Sequence, residues 1–207
     1  MIFLLVYFLN KISVTSTTAL NLAVEKDNLE IFDYLLKLPD IKIGYRCFSE
    51  NFKLKKFEIP SFITTIGEYA FNDCIYLTEI TIPSSVNHIG DWAFKSCYKL
   101  KELIIPSSVE TIGRGIMSGC HSLEKIIIPP IIDHIEYGQF NNFTKLKAFT
   151  IPSSVKKINA CAFCKCTSIT KIEIPSSVEI IESFAFSECS SLVDFIIPNS
   201  VKQIGKG

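Results

Sequence analysis

The sequence lacks a net charge, because its 21 basic and 21 acidic side chains cancel. Proteins that bind a phosphate backbone carry clustered positive charge, so we expect no nucleic-acid partner. Histidine is scarce, at 3 residues, and none lies near the densest cysteine group, Cys161, Cys164 and Cys166. Zinc needs four ligands in tetrahedral geometry, so we expect no metal site. No phosphate loop, paired-carboxylate motif or hydrolase elbow is present, so we expect neither a cofactor nor an enzyme.

Long apolar runs are also missing. The longest covers residues 1–9, about half of the roughly 20 residues that a membrane-spanning helix needs, so we expect no transmembrane span. Two interpretations of residues 1–19 stay open, a secretory signal peptide or a helix left from a truncated repeat. A Ser/Thr stretch with Ala19 favours the signal peptide, whereas the lack of a basic residue before the apolar run favours the helix.

A cassette repeated every 23 residues dominates the rest of the chain, marked by an Ile-Pro dipeptide from Ile59-Pro60 to Ile197-Pro198. A unit this short cannot bury its apolar face alone and must stack on its neighbours. Three apolar columns at this period predict the core of the stack. They are Leu77, Leu100, Leu123, Leu146, Ile169 and Leu192; Ile66, Ile89, Ile112, Ile135, Ile158 and Ile181; and Phe71, Phe94, Met117, Phe140, Phe163 and Phe186.

Within one unit, the alternation over residues 77–83 predicts a short strand that ends at proline. A second extended piece is expected over residues 86–89, followed by a bend at Gly90 and a single helical turn over residues 92–97. One further column holds five of the eight cysteines, and we expect them to be buried, reduced thiols that fill a small apolar site. They are Cys74, Cys97, Cys120, Cys166 and Cys189.

The repeat consensus reads Leu-x-x-Ile-x-Ile-Pro-x-Ser-Val-x-x-Ile-Gly-x-x-Ala-Phe-x-x-Cys. It resembles the BspA-like, or Treponema-type, leucine-rich repeats over residues 43–207. Departures are local, as where Pro130-Ile131-Ile132 replaces Ser-Ser-Val. The resemblance implies a surface antigen or adhesin of host-associated bacteria or protists, located at the cell surface or secreted.

Residues 18–43 follow a helical spacing instead and predict two short helices joined by a turn. The segment resembles one ankyrin repeat at Leu20 and Ala23, although Ala19 and Asn21 stand where that repeat usually has proline and histidine. A single ankyrin unit would be unstable alone, so we expect it to pack on the array as an N-terminal cap.

Outward positions of the longer strand are the candidate binding site, because their side chains vary while packing constrains the neighbouring columns. Adjacent Ile104 and Ile127 predict a small apolar patch flanked by mixed charge; ordinary β-propensity on a sheet surface is the alternative. The candidate protein-binding face comprises Glu79, Thr81, Glu102, Ile104, Lys125, Ile127, Thr150, Lys171, Glu173 and Ile196.

The sequence therefore predicts an α/β repeat solenoid, a leucine-rich-repeat array with an α-helical ankyrin-like cap. Residues 1–42 form the helical segment, and residues 43–207 form the array, with six full repeats from residue 59 and partial repeats at both ends. We expect a non-catalytic adhesion module whose protein ligand is a host-surface or matrix protein. The alternative is a cytoplasmic scaffold that binds an intracellular partner. The last cassette stops before its Ala-Phe turn, so we expect further repeats or an associating partner beyond this open rung.

Overall fold

The computed structural model describes five residues near the N-terminus (Leu20, Asn21, Ala23, Glu30 and Tyr34), residues 42–193 and residues 195–207. From residue 42 onward the chain winds as a β-solenoid, and each 23-residue repeat contributes a three-residue strand, a two-residue strand and a series of turns. Strands of successive repeats pair in parallel at a spacing of one repeat. The stacked repeats predicted from the sequence are confirmed.

Two ladders of strands run along the solenoid. The long-strand ladder contains β1 (Lys56–Glu58), β3 (Glu79–Thr81), β5 (Glu102–Ile104), β7 (Lys125–Ile127), β9 (Ala148–Thr150) and β11 (Lys171–Glu173). The short-strand ladder contains β2 (Thr65–Ile66), β4 (His88–Ile89), β6 (Thr111–Ile112), β8 (His134–Ile135), β10 (Lys157–Ile158), β12 (Ile180–Ile181) and β13 (Gln203–Ile204).

The predicted apolar columns form the core between the ladders. Phe71 and Phe94 are fully buried and stack with ring centroids 5.4 Å apart and an interplanar angle of 14°. Phe140 and Phe163 stack in the same way at 4.8 Å. Met117 takes the place of a ring between these two stacks and is also fully buried. The phenylalanine column is therefore core, as its period predicts.

The segment predicted as a helical turn is not helical. Two positions in each repeat have a left-handed backbone, with φ of 50° at Trp92 and 58° at Ser96. In an α-helix φ is negative, and each backbone N–H donates a hydrogen bond to the carbonyl four residues earlier. Here the Trp92 and Phe94 N–H groups donate instead to carbonyls of the next repeat, those of Arg114 and Ile116, both at 2.8 Å. The α/β assignment of the repeats is therefore wrong, and the described array is a β-solenoid.

Gly90 serves close packing of the repeats and not the predicted bend. A Cβ at this position would lie 2.6 Å from the Glu68 backbone nitrogen and 2.8 Å from the Gly67 carbonyl carbon. Contacts this short do not occur between real Cβ and backbone atoms, so only glycine fits without a shift of the neighbouring turn.

The short-strand ladder is interrupted between β6 and β8, which are not hydrogen-bonded neighbours within the described sheets. In regular repeats the second serine after the proline makes a hydrogen bond to the preceding repeat. For example, the Ser108 hydroxyl donates to the Val86 carbonyl at 2.9 Å. Ile131 replaces that serine and has no hydroxyl. Glu136 replaces the packing glycine, and its N–H donates to Gln139 Oε1 at 2.9 Å. The hydroxyl hydrogen bond is therefore missing at this junction, and the Glu136 N–H is bonded within its own repeat.

The N-terminal segment contacts the array at its first repeat. Leu20 and Ala23 are buried in the same apolar core as the repeats, and both have a helical backbone. The Asn51 amide donates to Asn21 Oδ1 at 2.7 Å. The remainder of the predicted ankyrin-like hairpin lies outside the described residues, as does the choice between signal peptide and helix over residues 1–19. The division at residue 42 also stays a prediction.

No helix within the described part of the chain has the length and apolar character needed to cross a bilayer.

Candidate functional site

The outward side of the long-strand ladder is the candidate site. Alternation along each strand turns the middle residue inward, so that Leu103, Ile126 and Ile172 are buried while the residues on either side face solvent. All ten side chains of the predicted face are exposed, nine of them in β3, β5, β7, β9 and β11. Ile196 lies outside the described strands. Whether these residues bind a partner stays a prediction.

An apolar pair stands at the centre of this face. Ile104 and Ile127 are directly opposite each other in the parallel pairing of β5 with β7. They are 43% and 46% exposed, respectively. In the same two strands Glu102 and Lys125 are also opposite, with Lys125 Nζ 3.8 Å from Glu102 Oε2. The apolar pair therefore lies directly beside one ion pair.

A groove with a volume of about 530 Å³ lies beside Ile104, on the β3 side of the apolar pair. Its lining includes Ile80, Thr81, Ile104 and Pro106. It forms where β3 and β5 are not hydrogen-bonded neighbours in the described sheets, since β3 pairs with β1 and β5 with β7. Sequence analysis missed this groove, because the repeat pattern continues across β3 and β5 without a change that would mark it.

Ion pairs frame the groove and the apolar pair along the ladder. On the N-terminal side, Lys56 Nζ lies 2.8 Å from Glu79 Oε1. On the C-terminal side, Lys171 Nζ lies 2.7 Å from Glu173 Oε1, and the hydrogen bond from this lysine lowers the pKa of the Glu173 carboxyl. The face therefore presents an apolar centre and a rim of both charges.

The cysteine column lies mostly within the core. Four of its five thiols are buried, and Cys189 is half-buried, close to the prediction. The thiols are also hydrogen-bond donors, which the sequence did not indicate: Cys97 Sγ donates to the Phe71 carbonyl of the preceding repeat at 3.2 Å. All eight cysteines are free thiols. Among the described residues, no three His, Cys, Asp or Glu side chains converge as a metal-binding group.

A second cleft, of about 270 Å³, lies at the interrupted junction between β6 and β8. His134 lines it, with Nδ1 against Asp133 Oδ1 and Nε2 3.2 Å from Glu136 Oε1. Partial burial opposes the charged imidazole, but the hydrogen bonds to both carboxylates outweigh it and raise the pKa of His134. His88, on the same column, is exposed and contacts the Thr111 hydroxyl through Nδ1.

Comparison with known proteins agrees with this architecture. The model of the BspA type leucine-rich repeat region matches residues 41–168 and 133–207, in 6 copies. No curated protein matches the chain.

Several solved structures are similar to this chain. A leucine-rich repeat protein from Bacteroides ovatus ATCC 8483 is 32% identical with a TM-score of 0.65, and the match covers 79% of this chain and 48% of that protein. The leucine-rich repeat protein of T. pallidum is 27% identical with a TM-score of 0.67, over 76% of this chain and 74% of its own. A leucine rich cell surface protein from Faecalibacterium prausnitzii A2-165 is 27% identical with a TM-score of 0.51, over 80% and 51%.

The chain thus spans about half the length of the Bacteroides ovatus protein, whose match covers 48% of it. The 23-residue period, the parallel ladders and the family match over residues 41–207 lead to one conclusion. The chain belongs to the BspA-type leucine-rich repeat family.

Proposed function

We propose that this chain is a non-catalytic protein-binding module that acts as an adhesin at the cell surface. The observation that carries the proposal is the exposed Ile104 and Ile127 pair beside the groove on the long-strand ladder. Repeat solenoids bind partners along such extended faces, and the F. prausnitzii neighbour is a cell surface protein.

The chemistry of the face matches a protein partner better than a small molecule. The groove is open to solvent, and more than half of its lining residues are polar or charged, whereas small-molecule sites are enclosed and mostly apolar. An apolar centre rimmed by charged side chains is the usual anatomy of a protein interface. The apolar pair would supply affinity, and the surrounding Lys and Glu side chains would select and orient the partner.

The test is the double variant Ile104→Lys/Ile127→Lys. Both side chains are on the solvent side of their strands, so the fold should survive, while the added charge and lost apolar contact should weaken attachment by tenfold or more, on the order of 1.4 kcal/mol. The measurement is binding of the purified chain to host cells and to immobilised matrix proteins.

A matched control is Phe62→Lys/Tyr137→Lys, which adds the same charge at two aromatic side chains that are 51% and 74% exposed but lie outside the long strands. The control should bind as the wild type does. If all three proteins bound equally, the long-strand ladder would not be the contact face.

A second function, an intracellular scaffold, is favoured by the N-terminal contacts. Leu20 and Ala23 pack into the core of the array, as expected for an N-terminal cap, whereas Tyr34, which the helical spacing places on the apolar face, is exposed. Ankyrin repeats mostly serve cytosolic protein contacts. Labelling of intact cells with a membrane-impermeant reagent separates the two: labelled chain supports the adhesin, and labelling only after lysis supports the scaffold.

A further inference from the structure

Cys161 and Cys164 are the first and last residues of one four-residue β-turn at the surface of the array. The Cys164 N–H donates to the Cys161 carbonyl oxygen at 3.1 Å, which defines the turn. The ends of a β-turn are less than about 7 Å apart between Cα atoms, and disulfides join Cα atoms about 4.4 to 6.8 Å apart. The backbone therefore holds the two cysteines at a distance that a disulfide spans.

The two central residues hold the turn in place. Ala162 and Phe163 are fully buried, and the Phe163 N–H donates to the Ala185 carbonyl of the next repeat at 2.7 Å. Cys161 and Cys164 themselves are partly exposed. A reagent in solvent can thus reach both thiols without opening the core.

Other repeats carry different residues at the first and last positions of this turn. The equivalent turn closes between Trp92 and Lys95, where the Lys95 N–H donates to the Trp92 carbonyl at 3.1 Å. The period thus explains the turn but not the two thiols. Desolvation raises the pKa of the Cys164 thiol, and the neighbouring Cys161 thiol raises it further. The Cys161 thiol is therefore close enough to act on the Cys164 thiol.

We propose that Cys161 and Cys164 form a reversible dithiol–disulfide site that exchanges with low-molecular-weight disulfides of the glutathione type. One cysteine thiolate attacks a sulfur of the reagent, forming a mixed disulfide and releasing one reagent thiol. The second thiolate then attacks the mixed disulfide and releases the second reagent thiol. The protein pair loses two electrons and two protons, and the reagent disulfide gains both.

Five of the remaining six cysteines provide an internal reference. Cys47, Cys74, Cys97, Cys120 and Cys166 are buried. The column thiols among them also donate to backbone carbonyls, as Cys166 Sγ does to the Phe140 carbonyl at 3.0 Å. Burial blocks access of the reagent, so these side chains should remain unreacted in the folded chain.

The experiment uses the full folded chain and glutathione disulfide as the probe. After incubation in mildly alkaline buffer, free thiols are alkylated, and the chain is unfolded and digested with trypsin. Cleavage after Lys157 and Lys165 releases residues 158–165, which contain Cys161 and Cys164 and no other cysteine. We expect this peptide to be two hydrogens lighter and free of alkyl groups, while the peptide that begins at Cys166 stays reduced.

Two variants separate the site from general thiol reactivity. Cys161→Ser and Cys164→Ser should each stop at a mixed disulfide with glutathione, and a reductant should restore the wild-type dithiol. Three results would overturn the proposal: a wild-type peptide that stays reduced, one that stops at the mixed disulfide, or a bridge that forms only in the unfolded chain.

Discussion

Phe94→Ala tests the stacking of the repeats at the centre of the core. Phe94 is fully buried and stacks on Phe71 at 5.4 Å and 14°. Removing a buried phenylalanine ring costs about 3 to 5 kcal/mol of unfolding free energy, through lost burial and the cavity left behind. The stacked ring pair accounts for about 0.5 to 1.5 kcal/mol of this. On the other side the neighbour is Met117, so the substitution breaks one ring stack and not two.

Equilibrium unfolding in urea measures this loss, and Phe62→Ala is the matched control. Phe62 is 51% exposed, so the same truncation there should change the unfolding free energy by no more than about 0.5 kcal/mol. Because repeats are stabilised by their neighbours, Phe94→Ala should also broaden the transition as the two parts of the array uncouple. A loss below about 1 kcal/mol for Phe94→Ala, or equal losses for the two variants, would refute the stacking argument.

Further predictions concern a glycine and a histidine. Gly90→Ala should lower the unfolding free energy by about 1 to 3 kcal/mol, because its Cβ would meet the Glu68 backbone nitrogen; an unchanged urea midpoint would contradict the close packing. Asp133→Asn/Glu136→Gln should lower the pKa of His134, as read by an NMR titration, and no change would contradict the contacts. Since folding raises this pKa, the stabilisation from these contacts is complete below about pH 6.5 and is lost as the pH rises through the folded-state pKa.

Period and alternation were sufficient to predict the ladders and the core. Residues one repeat apart must occupy equivalent places in stacked units, so a column that is always apolar is buried. The turns could not be predicted in this way. Ala93, Phe94 and Cys97 have a spacing that suits a helix, and the left-handed backbone falls on Trp92, a residue type that rarely adopts it. Composition therefore pointed to the wrong local structure at that position.

The candidate site was predictable only in part. Side-chain alternation indicated which residues face outward, including Ile104 and Ile127, because the strand period is two. The groove beside them depends on whether β3 pairs with β5, and the sequences of these strands differ little from those that do pair. The junction between β6 and β8 shows the opposite case, since Ile131 and Glu136 depart visibly from the consensus there.

The cysteine column shows how a correct pattern can have an incomplete explanation. A small apolar site would accept alanine or valine as well, yet the column holds cysteine five times. Each thiol donates to a carbonyl of the preceding repeat, as Cys74 Sγ does to the Phe48 carbonyl at 3.0 Å. Asn51 occupies this column in the first repeat, where its amide donates to Asn21 Oδ1 in the N-terminal segment. The position therefore accepts a buried side-chain donor, which the first repeat directs to the N-terminal segment, but it does not require one, since Phe143 fills the same column, fully buried and without a donor.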